Sequence, residues 1–423
     1  MQHTLKGLNE KLDSLAVFRN ILNTDIIKSL RRLLDLLLKD ELSEDKAVYT
    51  YGEFVSCLYK HDFDFSRYIY NFILNDENFY VKAKAAGRDI PDLIEKCVDE
   101  ELNILDDLSK LTPLEIKEYM DYDGFLPAWE NTMLNLKEEY QRKINSLSVT
   151  GYGIYAKYNA FVLKNDKIVP VKYPDRQSLD DLYGYERERN LIIRNTKALI
   201  DGSGASNMLL YGDAGTGKSS SVKAVCNYFK NDGLRLLEIK KNQLYKIPNI
   251  VDELSANPLK FVIFIDDLSF TGNDDNFSAL KAILEGGVAA LGSNVVIYAT
   301  SNRRHLVKET MSERTGDELH LNDTLQETMS LAARFGLTIT FQKPSKDEYL
   351  NIVKNLAKQY EVEIDEKDLY TKAEAFAIRN NGRSARTAKQ FVELLKICLL
   401  YTSSERHCHP SCKSVNVKVS MYL

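Results

Sequence analysis

Gly212-Asp213-Ala214-Gly215-Thr216-Gly217-Lys218-Ser219 has the form G-x-x-x-x-G-K-[S/T], and its surroundings fit it: Met208 to Tyr211 reads as a buried strand and Ser220 to Lys230 as a helix. The glycines let the backbone curl so that successive N–H groups point at phosphate oxygens, while the helix that follows presents the positive end of its dipole to the same charge. On this reading Gly212, Asp213, Ala214, Gly215, Thr216, Gly217, Lys218, Ser219 and Ser220 line a triphosphate site. Lys218 is expected to reach the β and γ phosphates, and the Ser219 hydroxyl to ligate magnesium. The expected cofactors are therefore ATP and Mg2+.

A phosphate cradle needs a second group on the metal side. Phe261-Val262-Ile263-Phe264-Ile265 is an apolar strand that ends in Asp266-Asp267. Asp266 is assigned to the metal, through water, and Asp267 to orienting and deprotonating the attacking water. Many ATPases have Glu at the second position; Asp is one methylene shorter, which favours slower or partner-dependent hydrolysis. A further apolar strand, Val295-Val296-Ile297-Tyr298-Ala299-Thr300-Ser301, delivers Asn302 beside the γ-phosphate, where its amide resembles the group known as sensor 1.

Farther along, Ser330-Leu331-Ala332-Ala333-Arg334-Phe335-Gly336 resembles an arginine-finger box, in which Arg334 points at a neighbouring subunit's ATP and makes hydrolysis wait for assembly. Gly382-Arg383-Ser384-Ala385-Arg386 opens a helix in the manner of sensor 2. Arg386 is assigned to the γ-phosphate with Arg383 as the alternative; one helical turn separates them, and the spacing leaves both open.

From Tyr173 to about Leu395 the chain resembles an uncharacterised family of bacterial AAA+ ATP-binding proteins of unknown function. The resemblance rests on Leu182-Tyr183-Gly184-Tyr185-Glu186-Arg187, Tyr211-Gly212-Asp213, Ile265-Asp266-Asp267-Leu268-Ser269-Phe270, Ala299-Thr300-Ser301-Asn302-Arg303-Arg304-His305-Leu306 and Gly382-Arg383-Ser384. Asp266-Asp267-Leu268-Ser269-Phe270 is also similar to the corresponding element of the replication initiator DnaA, and the finger box to those of initiators and helicase loaders. The resemblance implies an α/β fold, an αβα P-loop NTPase sandwich of strand order 5-1-4-3-2 with a C-terminal helical lid and ATP between them. It also implies that Tyr183, Gly184 and Tyr185 sit by the adenine. This chain has Ala333 where the family often has Asp before the finger arginine.

Around this core the periodicity changes twice. Residues 1–150 are helical throughout: Leu5, Leu8, Leu12 and Leu15, then Ile26, Ile27, Leu30, Leu33, Leu34 and Leu37 recur at helical spacing, with Thr24 or Asp25 as a cap between them. Tyr152, Ile154, Ala156, Tyr158 and Ala160 alternate, and Asn165-Asp166 separates two apolar runs, so residues 151–174 are expected to be a β-hairpin and linker. Residues 175–343 are then the nucleotide-binding core and 344–397 the lid. Residues 398–423 are expected to be a non-native tail, because Cys398-Leu399-Leu400-Tyr401-Thr402-Ser403 is what the transposase end sequence of DNA libraries encodes in one frame. Within it, His407-Cys408-His409-Pro410-Ser411-Cys412 crowds four potential ligands too closely for one tetrahedral zinc.

Composition limits the rest. A chain of 423 residues exceeds a single core. No apolar run spans a bilayer and the first ten residues lack a signal peptide's apolar centre, which predicts a cytoplasmic protein. The six cysteines do not form a disulfide framework. A formal charge of -5 gives no overall reason for tight nucleic-acid binding, although it leaves room for a local basic surface. The expected partners are further copies of the chain in the ATP state and an unknown protein met through the helical N-terminal domain. The expected function is ATP hydrolysis at a subunit interface that remodels, loads or recruits that partner. The alternatives are an ATP-dependent binding switch with slow hydrolysis, and a DNA-binding initiator using Arg303-Arg304-His305.

Overall fold

Helical spacing in the first third of the chain and apolar strands in the remainder give two compact units, one of residues 1–158 with 256–259 and one of residues 159–255 with 260–423. The computed structural model describes residues 5–39, 43–120, 122–269, 275–285, 292–302, 333–380 and 382–404. None of the described helices is long and apolar enough to cross a membrane.

The first unit contains α1 (Leu5–Asp13), α2 (Asp25–Leu37), α3 (Glu44–Tyr59), α4 (Phe65–Asn75), α5 (Phe79–Ala85), α6 (Asp92–Ser109), α7 (Pro113–Lys117), α8 (Leu136–Asn145), α9 (Leu147–Thr150) and α10 (Ile154–Lys157). Helix α2 starts where the Thr24 hydroxyl accepts the Ile27 N–H, and it buries Ile26, Ile27, Leu30, Leu33, Leu34 and Leu37 on one stripe. Aromatic rings close the centre, with Phe54 edge-on to Phe65 and Trp129. The carboxylate of Glu101, on α6, is buried and accepts the backbone N–H groups of Ala16, Val17 and Phe18 at 2.8 to 3.1 Å, and the Cys97 thiol at 3.3 Å. It thereby satisfies amides that the turn before residues 19–23 leaves without helical partners.

The expected strand over Tyr152 to Ala160 is corrected here: Ile154–Lys157 is one helical turn. Gly151 and Gly153, at φ 66° and 56°, turn the chain, and Tyr152 and Tyr155 then bury together at helical i, i+3 spacing. Apolar residues at every second place satisfy both periods over so short a stretch.

Among the described residues the second unit is built on a sheet of seven strands, β1 (Ala160–Lys164), β2 (Lys167–Pro170), β3 (Met208–Gly212), β4 (Leu234–Glu238), β5 (Lys260–Ile265), β6 (Val295–Ser301) and β7 (Leu337–Phe341), in the order β2-β1-β4-β5-β6-β3-β7. Counted from β3, the five core strands run 5-1-4-3-2, as the resemblance implies. All neighbours are parallel except β1 and β2, a hairpin closed by Asn165 and Asp166 at φ 50° and 59°, the backbone of a type I′ turn. The hairpin is no separate linker, because β1 pairs parallel with β4 and extends the sheet. Strand β6 is buried at all seven positions and β5 at five of six, which is why both read as unbroken apolar runs.

Among the described residues the α-helices of this unit are α11 (Glu186–Ile200), α12 (Lys218–Tyr228), α13 (Ile247–Ser255), α14 (Asp275–Leu284), α15 (Lys346–Gln359), α16 (Glu366–Arg379) and α17 (Ala385–Ser404). Helices α15 to α17 pack around their own core of Tyr349, Val353, Ala373, Phe391 and Val392. Helix α17 continues through Cys398 to Ser404; the cluster from His407 to Cys412 lies outside the described residues.

Candidate functional site

Parallel strands bring their carboxyl ends to one edge of the sheet, and the candidate groups follow β3, β5 and β6 there. The loop after β3 turns at Gly212, Gly215 and Gly217, with φ 137°, 79° and 92°. A Cβ on Gly212 would run into the Phe341 carbonyl, so glycine is required where the loop leaves the sheet. The Asp213 N–H donates to Phe341 O at 3.1 Å and the Lys343 N–H to Asp213 Oδ2 at 3.2 Å, which pins the loop to the end of β7. Ala214 stands exposed at its crest, while Thr216 is buried and bonds back to Asp213 O at 2.9 Å.

Lys218 opens α12 and is buried. Its ammonium donates to Gly212 O at 2.9 Å, Asp213 O at 2.7 Å and Asn302 Oδ1 at 3.1 Å. Burial pushes its pKa below the usual lysine value, against the raising effect of Asp213, Asp266 and Asp267, and Arg386 adds to the lowering. The three oxygens to which it donates are neutral, so an anion entering the loop would bring a countercharge into direct contact with it.

Ser219 Oγ donates to Asp266 Oδ1 at 2.5 Å, and the Thr300 hydroxyl donates to the same oxygen at 2.6 Å. The next residue, Asp267, sits at φ 52°, held there by its N–H on Thr300 Oγ1 at 3.0 Å. Asn302 Nδ2 donates to Asp267 Oδ1 at 2.7 Å, so one amide links the lysine to the second aspartate. A hydroxyl and a carboxylate in contact beside a phosphate cradle form the hard-oxygen donor set that suits magnesium, which keeps few protein ligands and takes the remainder from phosphate and water. Ser219 and Asp266 therefore fit the metal expected of them.

A cleft of about 400 Å³ adjoins the loop, lined by Gly215, Thr216, Gly217 and Ser220 on one side and by Ile352, Leu356 and Arg386 on the other. Tyr183 and Tyr185 line it too. Gly184, at φ 76°, turns between them with its N–H on Glu186 Oε1 at 2.9 Å. The Tyr185 ring lies 5.2 Å from that of Phe341 and its hydroxyl donates to Gln342 O at 2.6 Å, which fixes the ring on the end of β7. Burial, with Glu348, Glu188 and Asp213 nearby, raises its phenol pKa, so the hydroxyl keeps its proton.

The two sensor-2 candidates separate in space. Arg383 makes a double ion pair with Glu374 on α16, at 2.9 and 2.6 Å, whereas Arg386 lines the cleft and its N–H donates to Gly215 O at 3.0 Å. Arg334 does not join the cluster. It pairs with Glu285 just past α14, with Nε on Oε1 at 2.7 Å. Leu337 is in register with Met208 and Phe341 with Gly212. Arg334 therefore belongs to the opposite end of the sheet, about 13 Å or more from the loop at roughly 3.3 Å per strand residue. The preceding Ser330 to Ala332, Phe270, and Arg303 to Leu306 lie outside the described residues.

Several residues that the sequence reading passed over complete the cleft. Gln359 Nε2, at the end of α15, donates to Asp181 Oδ1 at 2.6 Å, and both line the cavity with Arg189 and Lys389. Lys389 was recoverable from its i+3 relation to Arg386. Asp181 and Gln359 are 178 residues apart and carry no such signal.

Strand order, glycine loop and acidic strand end together define an AAA+ P-loop NTPase fold, an architecture that binds nucleotides. Residues 156–397, more than half of the chain, match the family described as "Protein of unknown function (DUF815)", and the protein belongs to that family. No curated protein matches it. Similar solved structures include the Holliday junction branch migration motor RuvB of Thermotoga maritima, at 18% identity and a TM-score of 0.37, with 54% of this chain and 66% of that chain covered. AMPPCP-bound DnaA from Aquifex aeolicus is similar at 16% identity and a TM-score of 0.38, with 54% and 67% covered. The chain thus spans about two thirds of the length of the solved structures it matches.

Proposed function

We propose that this protein binds ATP with magnesium in the cleft between the Gly212–Ser219 loop and helices α15 and α17, and hydrolyses it when subunits assemble. The observation that carries the proposal is the cluster of Lys218, Ser219, Asp266, Asp267 and Asn302, joined through Thr300 by hydrogen bonds of 2.5 to 3.1 Å. In it Lys218 and the loop amides hold phosphate charge, and Ser219 and Asp266 hold the metal, which would screen that charge. Asp267 accepts the proton of the attacking water, and Asn302 positions both. Tyr183 and Tyr185 flank the base, and Arg386 carries the lid's contact to the γ-phosphate.

Arg334 is proposed as a finger acting on a neighbouring copy, because its place at the far end of the sheet keeps it from its own loop. Supplied in trans, its charge acts on the transferred phosphoryl group. The ATPase rate per subunit is then expected to rise with protein concentration and to fall about 10³-fold in Arg334→Ala. A rate independent of concentration and unmoved by that substitution would reject hydrolysis between subunits.

A second reading, a binding switch with slow hydrolysis, is favoured by the Asn302 bond to Asp267, which engages the base. Rapid turnover without a partner would count against it. In either case the work done is on an unidentified protein, met through the helical unit.

A further inference from the structure

The chain carries a formal charge of -5, yet one corner of the sheet collects lysines. The β1–β2 hairpin ends with Lys164 and Lys167, register partners that are both exposed. Beside it, the 3-10 turn Lys241–Lys246 follows β4, with Lys240 exposed immediately before it. The two segments are joined. Gln243 Nε2 donates to Leu163 O at 3.1 Å, and Lys246 Nζ to Asp166 Oδ2 at 3.0 Å. Lys164, Lys167, Lys240 and Lys246 thus lie on two joined segments, with Asp166 paired by Lys246, while Glu238 at the end of β4 lies 3.6 Å from Lys223.

Among the lysines stands Tyr245, 61% exposed, with the Lys246 ammonium 5.0 Å from its ring centroid. A tyrosine turned to solvent in the middle of a cationic surface offers what charge alone does not, a flat face on which a base can stack. Acidic side chains offer nothing flat to stack on that ring, and a duplex hides its base faces. From this combination we infer that Lys164, Lys167, Lys240 and Lys246, with Tyr245, form a contact surface for single-stranded nucleic acid, the lysines holding phosphates and the tyrosine a base. The inference needs neither the ATP site nor assembly, and it is tested without nucleotide so that failure of one reading leaves the other standing.

The full chain is titrated into a fluorescein-labelled oligothymidylate of about 20 nucleotides, followed by anisotropy. With about four phosphates held, binding is expected to weaken about 50-fold between roughly 50 and 200 mM salt. Tyr245→Ala should lose about five-fold or more in affinity with the salt slope unchanged, since stacking releases no counterions. The combined Lys164→Gln, Lys167→Gln and Lys240→Gln variant should flatten the slope to about one phosphate's worth and lose affinity at least about ten-fold at low salt. Circular dichroism melting checks that both variants fold. Absence of saturable binding at low salt, or folded variants that bind like the wild type, would overturn the inference. Competition by polyglutamate or a duplex as effective as by the single strand would also overturn it, by showing that charge alone is read.

Discussion

Glu101 in the helical unit lies 4% exposed and takes three backbone N–H groups and a thiol, whereas Asp266 in the sheet unit stands exposed at a strand end with the hydroxyls of Ser219 and Thr300 on one oxygen. Both are carboxylates with several donors, but the donors differ in kind. Amides of a turn cannot swing away, so Glu101 is committed to holding residues 16–18 on α6. Hydroxyls rotate, so Ser219 can leave Asp266 and serve another acceptor. Buried, fully bonded acid holds the fold, and exposed, rotatably bonded acid is available to a ligand.

The largest effect that would break this contrast comes from substituting, in parallel, Glu101 and Asp267, the neighbour of Asp266 in the exposed cluster. Glu101→Ala leaves three amides without an acceptor and is expected to cost about 3 kcal/mol or more. Asp267→Asn, in the exposed cluster, should leave the denaturation midpoint within the roughly 0.5 kcal/mol typical of surface changes, and lower ATP turnover by about 10²-fold. Chemical denaturation and a phosphate-release assay on both variants decide it. A stable Glu101→Ala or a destabilised Asp267→Asn would erase the distinction.

A smaller effect sharpens it within the helical unit. Asp64 caps α4, accepting the N–H groups of Arg67 at 3.0 Å and Thr132 at 3.1 Å together with the Thr132 hydroxyl. Burial raises its pKa, but the Thr132 hydroxyl, the two amides and the Arg67 charge outweigh that and leave it below the ordinary 3.8. A depressed folded pKa stabilises the fold above the unfolded value, and that contribution is lost as pH falls through the lower folded value. Asp64→Asn should therefore cost about 1 kcal/mol at neutral pH, and lose less stability than the wild type between neutral pH and about pH 3. Urea midpoints across that range measure it; parallel pH profiles would exclude the assignment.

The same contrast explains what was legible in the sequence. The loop, Asp266 and Asn302 are each set by a few contiguous residues, an apolar strand and the turn that ends it, so local reading reaches them. The 5-1-4-3-2 order of the core strands required the family resemblance, and no local pattern placed β1 beside β4. The alternation from Tyr152 to Ala160 fitted a strand until Gly151 and Gly153 made it a helical turn. Arg383 and Arg386 were inseparable by spacing, and what distinguishes them is the position of Glu374 on α16 and of Gly215 beside Arg386, which only the fold sets. The Asp181–Gln359 pair joins segments whose proximity the fold alone creates.

A triphosphate is proposed to bind where Lys218 lies buried among loop carbonyls. Equilibrium titration with a fluorescent ATP analogue and magnesium tests it directly. The wild type should saturate, and Lys218→Ala should weaken binding on the order of 100-fold, the loss expected when about 3 kcal/mol of charged hydrogen bonds is removed. A wild type without affinity, or equal affinity in the two proteins, would contradict it.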